Sequence, residues 1–176
     1  MTSFKYMNIP DVLLLTPTQH KDNRGVFSEV YVDHLTMPRW VQDNQSISYK
    51  AGTVRGLHYQ RREYAQTKLV RCAYGSIIDV AVDIRPDSPT YGQHVAAILS
   101  SDNGNQLMVP RGFAHGFMTL TDNAVVIYKV DNVYKKETEG AIRWDDPDLA
   151  IEWKYLGATA ISEKDAAAPL FKDIVL

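Results

Sequence analysis

Two histidines and one late aspartate are the residues of this 176-residue chain best suited to moving a proton. His58 lies in Val54-Arg55-Gly56-Leu57-His58-Tyr59-Gln60, and His115 in Gly112-Phe113-Ala114-His115-Gly116-Phe117. An imidazole with an unperturbed pKa of ~6.5 takes up and returns a proton near neutral pH. For His58 two readings stand side by side, a proton-transfer group and a core histidine satisfied by hydrogen bonds. The glycines and aromatic rings around His115 imply tight backbone geometry. A shared metal is disfavoured, because neither histidine has the His-x-His neighbour and nearby carboxylate that metal sets commonly use. In Ser162-Glu163-Lys164-Asp165 the spacing fits a helix N-terminus with Asp165 closing a capping box on Ser162. The same carboxylate can instead turn back and orient a histidine. Arg24, Glu29, Lys68, Tyr128, Lys129, Tyr134, Glu139 and Arg143 complete the polar candidates, each by itself readable as a solvated or packing side chain.

The elements that position these groups read as short strands. Between Ile78 and Ile84 apolar residues fall at every second position, the period of a strand with one face on a core. Similar runs are Gly25–Val32, Thr53–Tyr59, Lys68–Tyr74, His94–Ser100, Gln106–Val109, Gly112–Leu120 and Ala124–Val130. Between them stand Gly75-Ser76, Pro86-Asp87-Ser88-Pro89, Ser101-Asp102-Asn103-Gly104 and Thr121-Asp122-Asn123, all turn material. Helical periodicity is confined to Tyr31–Leu35 and Ser162–Ala168. The expectation is an all-β jelly roll, barrel or sandwich, in a single domain over 1–176. Regular alternation through Arg55–Tyr59 puts Arg55 and His58 on opposite faces, unless a bulge at Gly56 changes the register.

Composition narrows the function. A net charge of −2 and a pI near 6.2 argue against a broad nucleic-acid footprint. Cys72 is the one cysteine, which excludes an intrachain disulfide and suits a reducing compartment. No apolar run is long enough for a membrane span or a signal peptide. A cytoplasmic location is expected. No strand–glycine-loop–helix signature of a nucleotide-binding α/β fold is present.

The motifs taken together resemble the dTDP-4-dehydrorhamnose 3,5-epimerase family. The matching stretches include Asp22-Asn23-Arg24-Gly25-Val26-Phe27, Gln42-Asp43-Asn44, Arg55-Gly56-Leu57-His58-Tyr59-Gln60, Val109-Pro110-Arg111-Gly112-Phe113-Ala114-His115-Gly116-Phe117 and Ser162-Glu163-Lys164-Asp165. They run through nearly the whole chain in family order. The resemblance implies a cupin-type jelly roll, usually a homodimer, with no metal and no organic cofactor. It implies His58 as proton acceptor paired with Asp165, Tyr128 as proton donor, and Lys68 as the cation near the sugar's carbonyl oxygen. It places Arg24, Phe27, Glu29, Gln42, Asp43, Asn44, Arg55, His115, Tyr134, Glu139 and Lys164 around the nucleotide sugar, with Tyr134 stacking on thymine. The spacers Gln45–Val54, Glu29–Gln42 and Arg61–Lys68 depart from the family pattern and bear on which sugar is used.

The implied substrate is a dTDP-linked 4-keto-6-deoxy sugar, whose C3 and C5 protons are both α to the ketone. Inverting such a centre needs a base on one face of the ring and an acid on the other. The enolate between the two steps needs a preorganised positive partner. The alternatives are epimerisation at C3 alone or of another 4-keto sugar, a metal-dependent cupin, and a sugar-binding module without catalysis.

Overall fold

The computed structural model describes residues 2–33, 37–153 and 158–176. In chain order the strands are β1 (Ser3–Tyr6), β2 (Leu13–Thr16), β3 (Gln19–Asp22), β4 (Gly25–Ser28), β5 (Gln42–Ser48), β6 (Val54–Gln60) and β7 (Lys68–Tyr74). They continue as β8 (Ser76–Asp83), β9 (His94–Ser100), β10 (Gln106–Val109), β11 (Phe113–Thr119), β12 (Ala124–Val130) and β13 (Glu139–Ala141), and one α-helix follows, α1 (Glu163–Ala166). One sheet has the order β1-β2-β10-β7-β12-β5 and the other β13-β6-β11-β8-β9, while β3 and β4 form a separate hairpin. All their pairings are antiparallel. The two sheets face each other as a jelly-roll sandwich. Their ladders do not join into a closed barrel among the described residues.

The core has two layers. Between the sheets pack Val70, Cys72, Ile77, Leu99, Leu107, Phe113 and Val126. Behind the second sheet a further layer holds Val54, Leu57, Ile78, Val80, Val82 and Met118 against Ile142, Leu149 and Trp153 of the C-terminal segment. The apolar alternation at Ile78, Val80 and Val82 therefore faces this outer cover. The other face of β8, Ile77, Asp79, Ala81 and Asp83, is buried as well and looks between the sheets. Asp83 is held at the end of its strand by Arg85, Ser88 and Thr90, whose side-chain donors lie 2.5–2.9 Å from its carboxylate oxygens.

Differences from the sequence reading have local causes. The run Gly25–Val32 forms a strand only to Ser28, and residues 29–33 are irregular. Tyr31–Asp33 are not helical, and the rest of the Tyr31–Leu35 candidate lies outside the described residues. Ser162 does cap α1, its Oγ accepting from Asp165 N–H at 3.1 Å. The reciprocal half of the capping box is absent, since the Asp165 carboxylate turns into the molecule instead.

Candidate active site

A bulge builds the site. On β11, His115 and Phe117 are two residues apart, yet they pair with His58 and Arg55, which are three apart on β6. The extra residue turns Arg55 and His58 to the same face, which corrects the strict alternation. Gly56, at φ +114°, sits where a Cβ would come within 2.7 Å of the Gly116 Cα, so both strands need glycine at this crossing.

A cleft of about 470 Å³ opens between the sheets at this point. The second sheet contributes Arg55, His58, His115 and Phe117, and the first contributes Ser46, Lys68 and Tyr128. The segment through α1 closes one side with Ile161, Ser162, Lys164 and Asp165. Lys68 and Tyr128 look inward because their register partners on the neighbouring strand, Val130 and Val70, are fully buried between the sheets.

His58 Nε2 meets Asp165 Oδ1 at 2.7 Å, and Gly56 N–H donates to the other carboxylate oxygen at 3.1 Å. Burial works to raise the Asp165 pKa. The hydrogen bond and charge of His58, then Gly56 and Ser162, outweigh it and hold the carboxyl below its usual range. With Nε2–H donated to Asp165, Nδ1 is the ring nitrogen left to accept a proton. Lys68 is buried, its Nζ 3.4 Å from the His58 carbonyl. Burial lowers its pKa to about 8, opposed by the charges of Asp79 and Glu139. Burial raises the Tyr128 phenol and keeps it protonated, with Arg55 pulling the other way. His115 Nε2 lies 2.9 Å from Asp79 Oδ1, and burial depresses its pKa against the pull of that carboxylate.

The other predicted residues divide by position. At the rim, Glu139 accepts from Lys164 Nζ at 2.6 Å and from Tyr134 OH at 2.9 Å. Burial favours protonating Glu139, but these two donors leave its pKa lowered. Gln42 and Asn44 point inward on β5 and bond each other at 2.8 Å, and Tyr134 N–H reaches Gln42 at 3.4 Å. Asp43 faces the outer side of the sheet, paired with Lys129 at 2.7 Å. Arg24, Phe27 and Glu29 stand outside the cleft of their own chain. Arg24 and Phe27 are on the exposed β3–β4 hairpin, where Arg24 pairs with Asp22 at 2.7 Å. Glu29 borders a groove with Phe4, Leu15 and Tyr31 on the outer face of the first sheet. Sequence reasoning passed over Asp79, Ser46 and Phe117. For Asp79 the available signal was an acid in the middle of a strand whose neighbours on either side, Ile77 to Val82, are apolar.

Comparison with known proteins agrees with this geometry. The family model of dTDP-4-dehydrorhamnose 3,5-epimerase matches residues 6–173. A relative of that name from Salmonella typhimurium is 49% identical over 174 residues, covering 96% of this chain and 94% of its own. The crystal structure of such an epimerase from Bacillus anthracis, with TDP and pyrophosphate bound, has a TM-score of 0.92 at 43% identity, covering 97% of this chain and 99% of that one. The crystal structure of a dTDP-6-deoxy-D-glucose-3,5-epimerase from Legionella pneumophila in complex with dTDP-4-keto-L-rhamnose has a TM-score of 0.93 at 40% identity, covering 99% of this chain and 95% of that one. Matched by the family model over residues 6–173, the chain belongs to the dTDP-4-dehydrorhamnose 3,5-epimerase family.

Proposed function

We infer that the protein epimerises C3 and C5 of dTDP-4-dehydro-6-deoxy-D-glucose, giving dTDP-4-dehydro-L-rhamnose. The observation that carries this reading is the placement of His58 and Tyr128 on opposing sheets across one cleft, with buried Lys68 lining the same cleft. Facing sheets lie roughly 10 Å apart, so a sugar ring held between them meets base and acid from opposite sides.

In each inversion His58 Nδ1 takes the proton from carbon, and the C–H electron pair moves into the ring to form the enolate at C4. Asp165 steadies the resulting imidazolium. The Lys68 ammonium stabilises the enolate oxygen in a site where little water competes for its charge. The enolate then takes the Tyr128 phenolic proton on the other face, restoring the ketone with inverted configuration. Solvent returns a proton to the phenolate and removes one from the imidazolium. Arg55 provides a positive charge suited to the diphosphate.

Arg24, Phe27 and Glu29 enter this reading through a homodimer in which the β3–β4 hairpin and its flank reach the partner's cleft. Support comes from exposed Phe4 and Tyr6 on β1, Val26 and Phe27 on the β3–β4 hairpin and Val32 just after it, apolar side chains that association would cover. A cytoplasmic site of action is consistent with the buried free thiol of Cys72. No helix among the described residues is long and apolar enough to cross a membrane.

The test is to incubate the protein with dTDP-4-dehydro-6-deoxy-D-glucose in deuterated water and follow the sugar by NMR. Deuterium at both C3 and C5 with formation of the L-rhamno ketone is expected. Label at C3 alone reassigns the protein to single-centre epimerisation, and no label at either carbon refutes the reading.

A further inference from the structure

His58 and His115 are register partners on β6 and β11, and each turns Nε2 to a carboxylate. The second pair, His115 with Asp79, lies deeper: the side chains of His115 and Asp79 are 7% and 0% exposed, against 32% for His58. Asp79 Oδ2 is buried with no hydrogen-bond partner among the described residues. An ionised carboxylate is costly to bury, and packing alone does not require one here. Its neighbours on the same face of β8, Ile77 and Ala81, are apolar and equally buried.

We propose that Asp79 is a positioning residue for epimerisation: it fixes His115 as the Nε2–H tautomer and provides the buried negative charge that keeps Lys68 an ammonium while the enolate forms. The proposal rests on the epimerase reading. The titratable and charged groups around Lys68 are Asp79 on β8, Glu139 on β13, His58 and Arg55 on β6, His115 on β11, Tyr128 on β12, and Lys164 with Asp165 on α1. Glu139 is neutralised by Lys164, and Asp165 is engaged by His58. Asp79 bonds an imidazole that burial holds toward its neutral form, so its charge is left to act on Lys68. Of the charges that raise the Lys68 pKa against burial, Asp79 is the larger and Glu139 the smaller. With Nε2–H committed to Asp79, Nδ1 of His115 is the nitrogen left to accept a hydrogen bond from a sugar hydroxyl.

The test compares wild type and Asp79→Asn by steady-state kinetics from about pH 6 to 9.5. The variant is expected to lose roughly tenfold or more in kcat at neutral pH, with KM changed by less than about threefold. Its alkaline limb of kcat should move down by roughly half a pH unit or more, because the ammonium has lost its counter-charge. A variant that melts earlier, yet keeps wild-type kcat per folded molecule and an unmoved alkaline limb, shows a structural role and overturns the proposal. Nitrogen-15 NMR of the wild-type histidine rings gives a readout that needs no variant. A neutral Nε2–H ring for His115 at neutral pH supports the proposal, and an Nδ1–H or charged ring overturns it. Wild-type protein that leaves the sugar nucleotide unchanged refutes the epimerase reading and this proposal with it. Active wild type with an unperturbed Asp79→Asn refutes this proposal alone.

Discussion

His58 on β6 and Asp165 on α1 meet at 2.7 Å across 107 residues of sequence. One carboxylate thereby orients the imidazole and, through Gly56 N–H at 3.1 Å, fastens the bulge that turns His58 into the cleft. The four-residue helix carries this side chain, the one buried residue it has. Ser162 caps it and leaves the Asp165 carboxylate free to point inward.

The buried Lys68 ammonium is a cost to the fold. Its pKa is depressed from 10.5 to about 8. The associated stability is complete above 10.5 and is lost as pH falls through 8, so at neutral pH the charged form weakens the fold. Lys68→Met should therefore unfold at higher urea at pH 7, a gain on the order of 1–3 kcal/mol, while losing epimerase activity. The gain should shrink by about pH 10. A variant less stable than wild type at pH 7 contradicts this account.

Tyr128 is assigned only the second half of each inversion. Tyr128→Phe should slow inversion by about 10²–10⁴-fold. It should still exchange deuterium into the substrate, because the enolate forms and is quenched on the face of the original base. Exchange and inversion falling together would show that the phenol is needed to form the enolate.

How much of this was legible in the sequence depended on what each strand buries. Lys68–Tyr74 and Ala124–Val130 were read with their observed bounds, since alternate residues meet a dry core. Gln42–Ser48 was missed as a strand because its inward face serves the cleft, so both of its faces are polar. Asp79 was missed because β8 is buried on both sides, and the apolar face drew attention to the outer layer. His58, Asp165, Lys68 and Tyr128 were named from the family resemblance. Local patterns left His58 open and read Asp165 as a cap, because a contact across 107 residues leaves no local trace.

Assembly makes a separate prediction. Phe27 is 67% exposed at the hairpin, and Arg24 stands beside it. Light scattering at micromolar concentration should give a dimer. Phe27→Asp should weaken both the dimer and kcat/KM, while Arg24→Ala should raise KM. A wild-type monomer, or a Phe27→Asp dimer of full activity, would remove the hairpin from the site.

Chelation should leave the activity intact. Both cleft histidines already engage carboxylates through Nε2. Among the described residues no three His, Cys, Asp or Glu side chains converge as a metal set. Assays after exhaustive dialysis against EDTA should match untreated protein, and loss of activity restored by one divalent ion would place a metal in the mechanism.

Removal of the substrate proton by His58 is tested by incubating His58→Asn with dTDP-4-dehydro-6-deoxy-D-glucose in deuterated water and measuring label at C3 and C5 by NMR. Exchange should be lost at both carbons in a protein that still folds, a fall on the order of 10²–10⁴-fold. Exchange at near wild-type rate in His58→Asn would contradict His58 as the base.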